Sequence, residues 1–292
     1  MLWIPLTMAA APLQVARNAL QRGLVGDAGP WGAALVRFLF GLPFSLAIFA
    51  AAAVLTPDAH PDFQARFWIA AALGALAQVM ATASLLVAMR RAGFGVATAM
   101  QQSSLPFAAV FGLATGDQLS GLAWAGVASA TAGLVILSWP RQAQPQGALT
   151  GALLGLASGA AFAVALNAYR ASGLALEPAH PIYAGTAGVC VAQALQSLTL
   201  VAVLAATRPS ALGVVMRSWR SSLGAGIFGS GGSACWFAAL AQAPAAAVRA
   251  VGVVEIPVAA LAGARLFKER MTVRQMLGAA LAAAGVVATA LG

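Results

Sequence analysis

The sequence predicts an all-α integral membrane protein with ten transmembrane helices, arranged as two inverted five-helix repeats. Three observations lead to this fold. The 292-residue chain is 61% hydrophobic and only 8% charged, whereas a soluble domain carries roughly 25% charged residues. Apolar runs close to the ~20 residues that a membrane-crossing helix needs follow one another along the chain. The two halves of the chain also resemble each other.

Ten apolar runs are long enough to cross a bilayer as helices, which satisfy their own backbone hydrogen bonds. The expected spans are residues 2–20, 31–55, 67–88, 94–115, 121–139, 148–169, 181–206, 219–241, 244–267 and 273–291. Short stretches rich in Pro, Gly, Asp or Gln separate many of them and predict turns; these are residues 26–30, 56–62, 116–118, 141–145 and 177–181. No connection is long enough to hold a soluble domain. The first run is expected to be a membrane helix rather than a signal peptide, because no positive charge precedes it.

The second half of the chain repeats features of the first half in the same order. The equivalent pairs are Asn18 and Asn167, Pro106 and Pro257, Asp117 and Glu269, Gly126 and Gly278, and Gly133 and Gly285. The sequence therefore divides into a first repeat, residues 1–140, and a second repeat, residues 148–292. Five helices is an odd number, so successive repeats must have opposite orientations in the membrane. Inverted repeats with a substrate site between them are typical of secondary transporters.

The distribution of basic residues predicts the orientation in the membrane. On one side of the predicted bilayer, the loops and helix ends carry Arg22, Arg90, Arg91, Arg141, Arg208, Arg217, Arg220, Arg265, Lys268, Arg270 and Arg274. The other side carries Arg66 and Arg170. Cytoplasmic loops are enriched in Lys and Arg, so both termini are expected in the periplasm of a bacterial inner membrane. The net charge of +9 thus indicates orientation rather than nucleic-acid binding.

These features resemble the drug/metabolite transporter superfamily, in particular its ten-helix EamA-type branch. The resemblance rests on the doubled five-helix unit, the Pro-containing fourth and ninth helices, the acidic turn after each, and Arg37-Phe38 in the second helix. It covers essentially the whole chain and implies export of small metabolites such as amino acids. Two features depart from the family. Its members are commonly drawn with cytoplasmic termini, and its small four-helix relatives carry a membrane Glu on helix 1, where this chain has Gln14 and Asn18.

Glu255 is the only acid deep within a predicted span, and we consider it the candidate coupling residue. A charge at the bilayer centre costs at least ~2.5–3.5 kcal/mol, so it requires a reason. Glu255 would titrate with protons or bind a cation beside a helix break. The structural alternative is an ion pair with Arg37 or Arg249. Pro106 and Pro257 are the predicted hinges of helices four and nine, because proline removes a helical hydrogen bond.

Polar and aromatic side chains within the spans are expected to line a substrate cavity. The candidates are Gln14, Asn18, Gln78, Gln101, Gln102, Asn167, Ser230, Trp236, Arg249 and Glu255, with Tyr169, Gln193 and Gln196 as weaker ones. An arginine there would bind a carboxylate bidentately, and Trp236 could stack on a substrate. The structural alternatives are hydrogen bonds between helices for the amides and hydroxyls, snorkelling for Arg17 and Arg37, and helix packing for the glycine-rich segment around Ser230.

The sequence argues against an enzyme, and we predict no catalytic residue, metal ligand or cofactor. Both histidines, His60 and His180, precede prolines in loops, which leaves no base in the membrane spans to activate a serine. Cys190 and Cys235 lie in apolar runs, without the spacing of a zinc site or a disulfide framework.

The expected function is secondary active export of a small metabolite by alternating access, with proton coupling left open. Two alternatives remain at this point. The first is an uptake or facilitated-diffusion carrier, and the second is a non-transporting membrane sensor or assembly subunit. The expected partners are a small-molecule substrate, the lipid bilayer and protons, but not nucleic acid. A monomer is compatible with the sequence, which does not predict the oligomeric state.

Overall fold

A computed structural model describes residues 2–22, 25–138, 148–254 and 273–292, and this part of the chain is helical with no strand. The helices are α1 (Trp3–Arg22), α2 (Val25–Leu39), α3 (Leu42–Leu55), α4 (Ala65–Gln101), α5 (Ser104–Ala114), α6 (Gly121–Ser138), α7 (Ala148–Leu176), α8 (Pro181–Thr207), α9 (Pro209–Arg217), α10 (Trp219–Leu240), α11 (Ala245–Val251) and α12 (Val273–Leu291). A 3₁₀ turn, Gly252–Val254, follows α11. The predicted all-α architecture is thus confirmed for these residues.

Among the described residues, five segments are long and apolar enough to cross a membrane. They are Trp31–Leu55, Ala65–Ala92, Leu149–Leu176, Pro181–Thr207 and Ser222–Leu240. Four shorter apolar helical segments accompany them: Ser104–Ala114, Gly121–Ile136, Ala245–Val254 and Met276–Leu291. The protein is therefore a multi-pass membrane protein. The predicted turn at residues 141–145 and most of the predicted span 244–267 lie outside the described residues.

Helix α4 corrects one predicted boundary. It continues through Arg90 and Arg91, where the sequence predicts a break between spans 67–88 and 94–115. The predicted break contains no proline, and Met89, Arg90, Arg91 and Ala92 all favour a helix. The interruption comes at residues 102–103, because Pro106 has no N–H to donate to the carbonyl of Gln102. That carbonyl accepts the Leu105 N–H at 3.1 Å instead, so it is not freed to line a cavity.

Two further differences concern short segments. The predicted span 31–55 is divided at Phe40–Gly41 into α2 and α3. Helix α9 occupies a stretch that the sequence predicts as a loop. Its Ala211 and Val215, one turn apart, are buried against an apolar cluster of α2 and α8. Two buried apolar residues are too few to produce a helical periodicity that can be detected in the sequence.

The chain forms two compact units. Unit 1 consists of Met1–Val79 and Ala168–Gln242, and unit 2 consists of Met80–Asn167 and Ala243–Gly292. Each unit contains parts of both sequence halves, so neither unit coincides with a predicted repeat. The assignment of residues 1–140 and 148–292 to two repeats remains a prediction about the sequence.

The described part of unit 1 contains two apolar clusters. One is formed by α2, α8 and α9 around Leu35, Val36 and Leu204, and the other by Phe67, Leu176 and their neighbours on α4, α7 and α8. Helix α1 packs antiparallel on α10, because Leu20 lies next to Gly224, Arg17 next to Gly229, and Leu13 next to Gly232. This pairing brings the polar residues of α1 against the glycine-rich segment of α10.

Unit 2 contains a close antiparallel pair of helices, α6 and α12. A Cβ added to Gly126 would overlap Thr289 and approach the Gly285 carbonyl, and one added to Gly133 would overlap the backbone of Ala282. Glycine is therefore required at these positions for the backbones to approach each other. Helices α6 and α12 occupy equivalent positions in the two predicted repeats. If the repeats are inverted, equivalent helices must run in opposite directions.

Gly133→Ala is expected to destabilise the protein by about 1–3 kcal/mol, because the new methyl must displace the α12 backbone. Gly121→Ala is the matched control, since no atom lies within 4 Å of a Cβ built at that end of α6. Thermal melting of both purified variants measures the difference. Equal melting temperatures for the two variants would show that α6 and α12 do not pack this closely.

A loop contact in unit 1 involves Glu177, which lies between α7 and α8. The Glu177 carboxylate accepts the His60 N–H at 2.6 Å and the Ala179 N–H at 3.2 Å, and His180 Nδ1 lies 3.4 Å from it. Burial raises the pKa of Glu177, but the hydrogen bonds and the neighbouring His180 outweigh burial, so the pKa lies below its ordinary value. The contact therefore joins the loop before α4 to the loop before α8.

Glu177→Gln is expected to lower stability by about 1–2 kcal/mol at pH 7, because charge-assisted hydrogen bonds are lost. The wild-type carboxylate has a depressed pKa, so its contribution is complete above the unfolded value of ~4.3 and disappears as pH falls through the folded value. Melting curves from pH 7 to pH 3 should show the two proteins converging in acid. Asp58→Asn, at an exposed acid of the same loop, controls for net charge, and a gap that does not depend on pH would refute the assignment.

Candidate functional site

Unit 1 contains a buried network of neutral polar side chains. Gln196 on α8 donates to Gln78 Oε1 at 2.6 Å and to the Tyr169 hydroxyl at 2.9 Å. The Tyr169 hydroxyl donates to Gln78 Oε1 at 2.8 Å. The three side chains come from α4, α7 and α8, so each helix supplies a partner for groups that water cannot reach. Gln78 was a cavity candidate, with hydrogen bonding between helices as the structural alternative, and these contacts are of the second kind.

A second group of polar contacts in unit 1 connects α3, α8 and α10. Ser45 donates to Gln193 Oε1 at 2.9 Å, and Gln193 Nε2 donates to Ser230 Oγ at 3.2 Å. Ser230 in turn donates to the Gly41 carbonyl at 2.7 Å. The carbonyl at the break between α2 and α3 is thereby given a partner. Ser230, predicted as a cavity residue, is fully buried and makes these hydrogen bonds between helices.

Two arginines enter the interior of unit 1. Arg17 on α1 is only 7% exposed, so it does not snorkel to the surface as the structural alternative supposed. The Arg37 guanidinium carbon lies 4.9 Å from the centre of the Phe38 ring, a favourable cation–π distance. Arg37 Nε is buried and has no hydrogen-bond acceptor among the described residues. The unit thus holds buried positive charge.

Unit 2 brings together two of the predicted site residues, Gln102 and Arg249. Arg249 Nη2 donates to Gln102 Oε1 at 2.8 Å, and Arg249 Nε donates to Ser104 Oγ at 3.3 Å. Helix α11 is therefore attached to the interruption between α4 and α5, next to Pro106. Ser103 Oγ is buried at the same interruption and has no partner within the described ranges.

Asn167 has a structural contact in unit 2. Its Nδ2 donates to the Ala108 carbonyl at 3.2 Å and to the Ala163 carbonyl at 3.0 Å. Its Oδ1 is buried without a partner in the part of the chain that the structure describes. The side chain thus connects α7 to α5, as expected for an amide between membrane helices.

The other predicted residues have varied surroundings. Gln14 lies against Gly232 in unit 1, and Trp236 Nε1 is buried there with no acceptor among the residues described. Gln101 is partly buried in unit 2. Pro106 lies in the first turn of α5. The side chain of Asn18, and the whole of Glu255 and Pro257, lie outside the described residues, so the predicted coupling residue and second hinge stay predictions.

Four polar residues that the sequence analysis treated as weak site candidates or as surface residues lie in the interior of unit 1. Gln193 and Gln196 lie one turn apart on α8 and are almost fully buried, a spacing that a search for polar residues sharing one helix face could have found. Arg17 and Arg37 had no such signal, because an arginine near a helix end has the same sequence pattern whether it snorkels or turns inward.

Gln102→Leu is expected to destabilise the protein by about 1–3 kcal/mol, because Arg249 loses one of its acceptors inside an apolar unit. Gln101→Leu is the matched control, since the structure describes no side-chain hydrogen bond for Gln101. Thermal melting in the same detergent compares the two variants. If Gln102→Leu is no less stable than Gln101→Leu, the contact with Arg249 is not formed.

Comparison with known proteins matches this architecture to a family. Residues 149–291 match the EamA-like transporter family. No curated protein matches the chain in sequence. One solved structure, described only as the crystal structure of a protein, is similar with a TM-score of 0.73. The match covers 99% of this chain and 98% of that chain at 18% identity, a likeness that shows the fold alone.

The family match covers the second half of the chain, including α7, α8, α10, α11 and α12. It agrees with the apolar helices and with the resemblance seen in the sequence. On this evidence residues 149–291 are identified as a member of the EamA-like transporter family, part of the drug/metabolite transporter superfamily.

Proposed function

We propose that the protein is a secondary active transporter that exports small metabolites, such as amino acids, across the bacterial inner membrane. The observation that carries this proposal is the family match of residues 149–291. The buried polar and cationic groups support it, because a purely structural membrane bundle gains little from buried arginines, which are costly in an apolar environment.

Alternating access is the mechanism that we propose. Ten helices in two inverted repeats would expose a polar site to each side of the membrane in turn, with both termini in the periplasm. The interruption between α4 and α5 next to Pro106 supports a hinge, since the helical hydrogen-bond pattern is already broken there. Pro257 is the proposed equivalent in the second repeat.

Proton antiport through Glu255 is the coupling mode of this proposal. Glu255 is the one acid within the predicted spans, and a titratable group in the membrane is a functional candidate by default. Binding a proton from one side and releasing it to the other would drive the substrate outward.

Purified protein in liposomes is expected to accumulate labelled amino acids or related metabolites when the lumen is made more acidic than the outside, because protons that leave by antiport drive the substrate inward. Glu255→Gln should abolish the response to the gradient, because an amide cannot titrate, while leaving exchange of labelled for unlabelled substrate intact. Flux in liposomes without protein is the control. If exchange is absent for the whole metabolite panel, the transport proposal is wrong, whereas an unchanged gradient response in Glu255→Gln refutes only the coupling.

A further inference from the structure

Helix α9 lies at one membrane surface of unit 1. The membrane segment of α8 ends at Thr207, and that of α10 begins at Ser222. Consecutive spans are joined on one side of the bilayer, and α9 lies within this connection. Its nine residues span roughly 14 Å, about half of the ~30 Å hydrocarbon thickness, so α9 does not cross the membrane. It therefore lies beside the lipid headgroups, on the side that the arginine distribution predicts to be cytoplasmic.

One face of α9 is fixed to the protein and the other is exposed. Ala211 and Val215 are buried in the apolar cluster of α2 and α8. Gly213, Met216 and Arg217 are exposed. Met216 and Arg217 follow Gly213 by three and four positions, the spacing that places residues on one face of a helix. The apolar face thus holds α9 in place, and the basic face is open to its surroundings.

The exposed face of α9 continues into the first turn of α10. At the junction, the Ser218 N–H donates to the Val214 carbonyl at 3.1 Å, and the Ser222 N–H donates to the Ser218 carbonyl at 3.0 Å. Hydrogen bonds of helical spacing are therefore kept on both sides of Ser218. Arg220 follows Arg217 by three residues and is also exposed, so the two guanidinium groups are neighbours on the same side.

Apolar side chains lie beside these two arginines. The Arg220 guanidinium carbon lies 5.1 Å from the centre of the Trp219 ring, a favourable cation–π distance. Trp219 is 45% exposed and Met216 is 57% exposed. Among the described side chains, no acid forms an ion pair with Arg217 or Arg220. The face therefore combines two positive charges with apolar surface.

An anionic phospholipid matches this face in both charge and polarity. Its phosphate accepts paired hydrogen bonds from guanidinium groups, and anionic membrane surfaces attract each nearby arginine. Tryptophan is enriched at the level of the headgroups, where its ring contacts apolar groups and its N–H contacts polar ones. A Cβ built on Gly213 meets no atom within 4 Å, so there is room for a headgroup one turn before Arg217.

We propose that the face formed by Gly213, Met216, Arg217, Trp219 and Arg220 binds the headgroup of an anionic phospholipid. The phosphate lies between the two arginines, and the glycerol and first acyl carbons lie against Met216 and Trp219. A zwitterionic phospholipid fits less well, because its own ammonium group offsets the charge of its phosphate. The proposal goes beyond the transport function and does not depend on it.

Lipids that differ only in the headgroup test the charge requirement. The full chain is purified in detergent, and native mass spectrometry measures dissociation constants for the first bound phosphatidylglycerol and the first bound phosphatidylcholine with the same acyl chains. Phosphatidylglycerol is expected to bind about fivefold or more tightly, since the attraction of one arginine to an anionic headgroup corresponds to a change of about this size. Equal dissociation constants for the two lipids overturn the proposal.

Single substitutions locate the site. Arg217→Gln and Arg220→Gln should each weaken the binding of phosphatidylglycerol about fivefold. Arg66→Gln and Arg91→Gln are the controls, because both arginines are exposed and each variant loses the same single charge. The controls should leave the dissociation constant almost unchanged. An equal loss in all four variants would indicate diffuse attraction by the net charge and would refute the site.

A matched pair of substitutions at Gly213 gives an independent test. Gly213→Glu and Gly213→Gln place side chains of similar size where a Cβ meets no other atom, so both variants are expected to fold, which melting temperatures without added lipid verify. The new carboxylate lies one turn from Arg217 and competes with the phosphate. Gly213→Glu should therefore bind phosphatidylglycerol more weakly than Gly213→Gln. Equal affinity of the two variants would show that the phosphate does not lie at Arg217.

Competition separates the lipid from other occupants of the face. Inorganic phosphate and hexaglutamate are each added to the complex with phosphatidylglycerol at the same concentration as the lipid. Neither is expected to displace the lipid, because neither has an apolar part to contact Met216 and Trp219. Displacement by phosphate would assign the face to a soluble anion, and displacement by hexaglutamate would assign it to an acidic protein segment. Either result overturns the lipid proposal.

Discussion

Every polar group in a membrane helix must find a partner within the protein, because the hydrocarbon contains no water to supply one. The backbone meets this constraint by forming helices. Hydroxyls meet it locally: Thr7, Thr131 and Thr199 each donate to the carbonyl four residues earlier in their own helix. Amides such as Gln196 and Asn167 reach other helices instead, and thereby fix which helices are neighbours.

The same constraint makes buried polar groups without a partner informative about function. Within the described residues, Arg37 Nε, Ser103 Oγ and Trp236 Nε1 are buried and unpaired, whereas the hydrogen bonds around them are well formed. An unpaired buried donor costs free energy, so its retention suggests that a ligand or another state of the protein supplies the acceptor. The transport function proposed above would supply both conditions, because it requires a bound substrate and a rearrangement of the helices.

The features predicted correctly from sequence depend on local chemistry. The connections around residues 56–62, 116–118 and 177–181 follow from clusters of Pro, Gly and Asp, and the apolar helices follow from composition. The continuity of α4 through Arg90 was missed because an arginine pair was interpreted as a loop at the membrane surface. The short helix α9 was missed because its buried residues pack on other helices, which the local sequence does not reveal. For the same reason the sequence could suggest that Gln102 and Arg249 share a site, but it could not show that they bond to each other.

The glycines that allow α6 and α12 to pack closely have a consequence for how the chain can vary. The contact between Gly126 and Gly285 is reciprocal, because each lies against the carbonyl of the other, and Gly133 lies against the carbonyl of Gly278. A larger residue at one position separates both backbones, and its energetic effect is then shared with the position opposite rather than added to it. The two sequence halves are thus thermodynamically coupled where α6 contacts α12. The energetic effect of a substitution in one helix depends on the residue opposite it in the other.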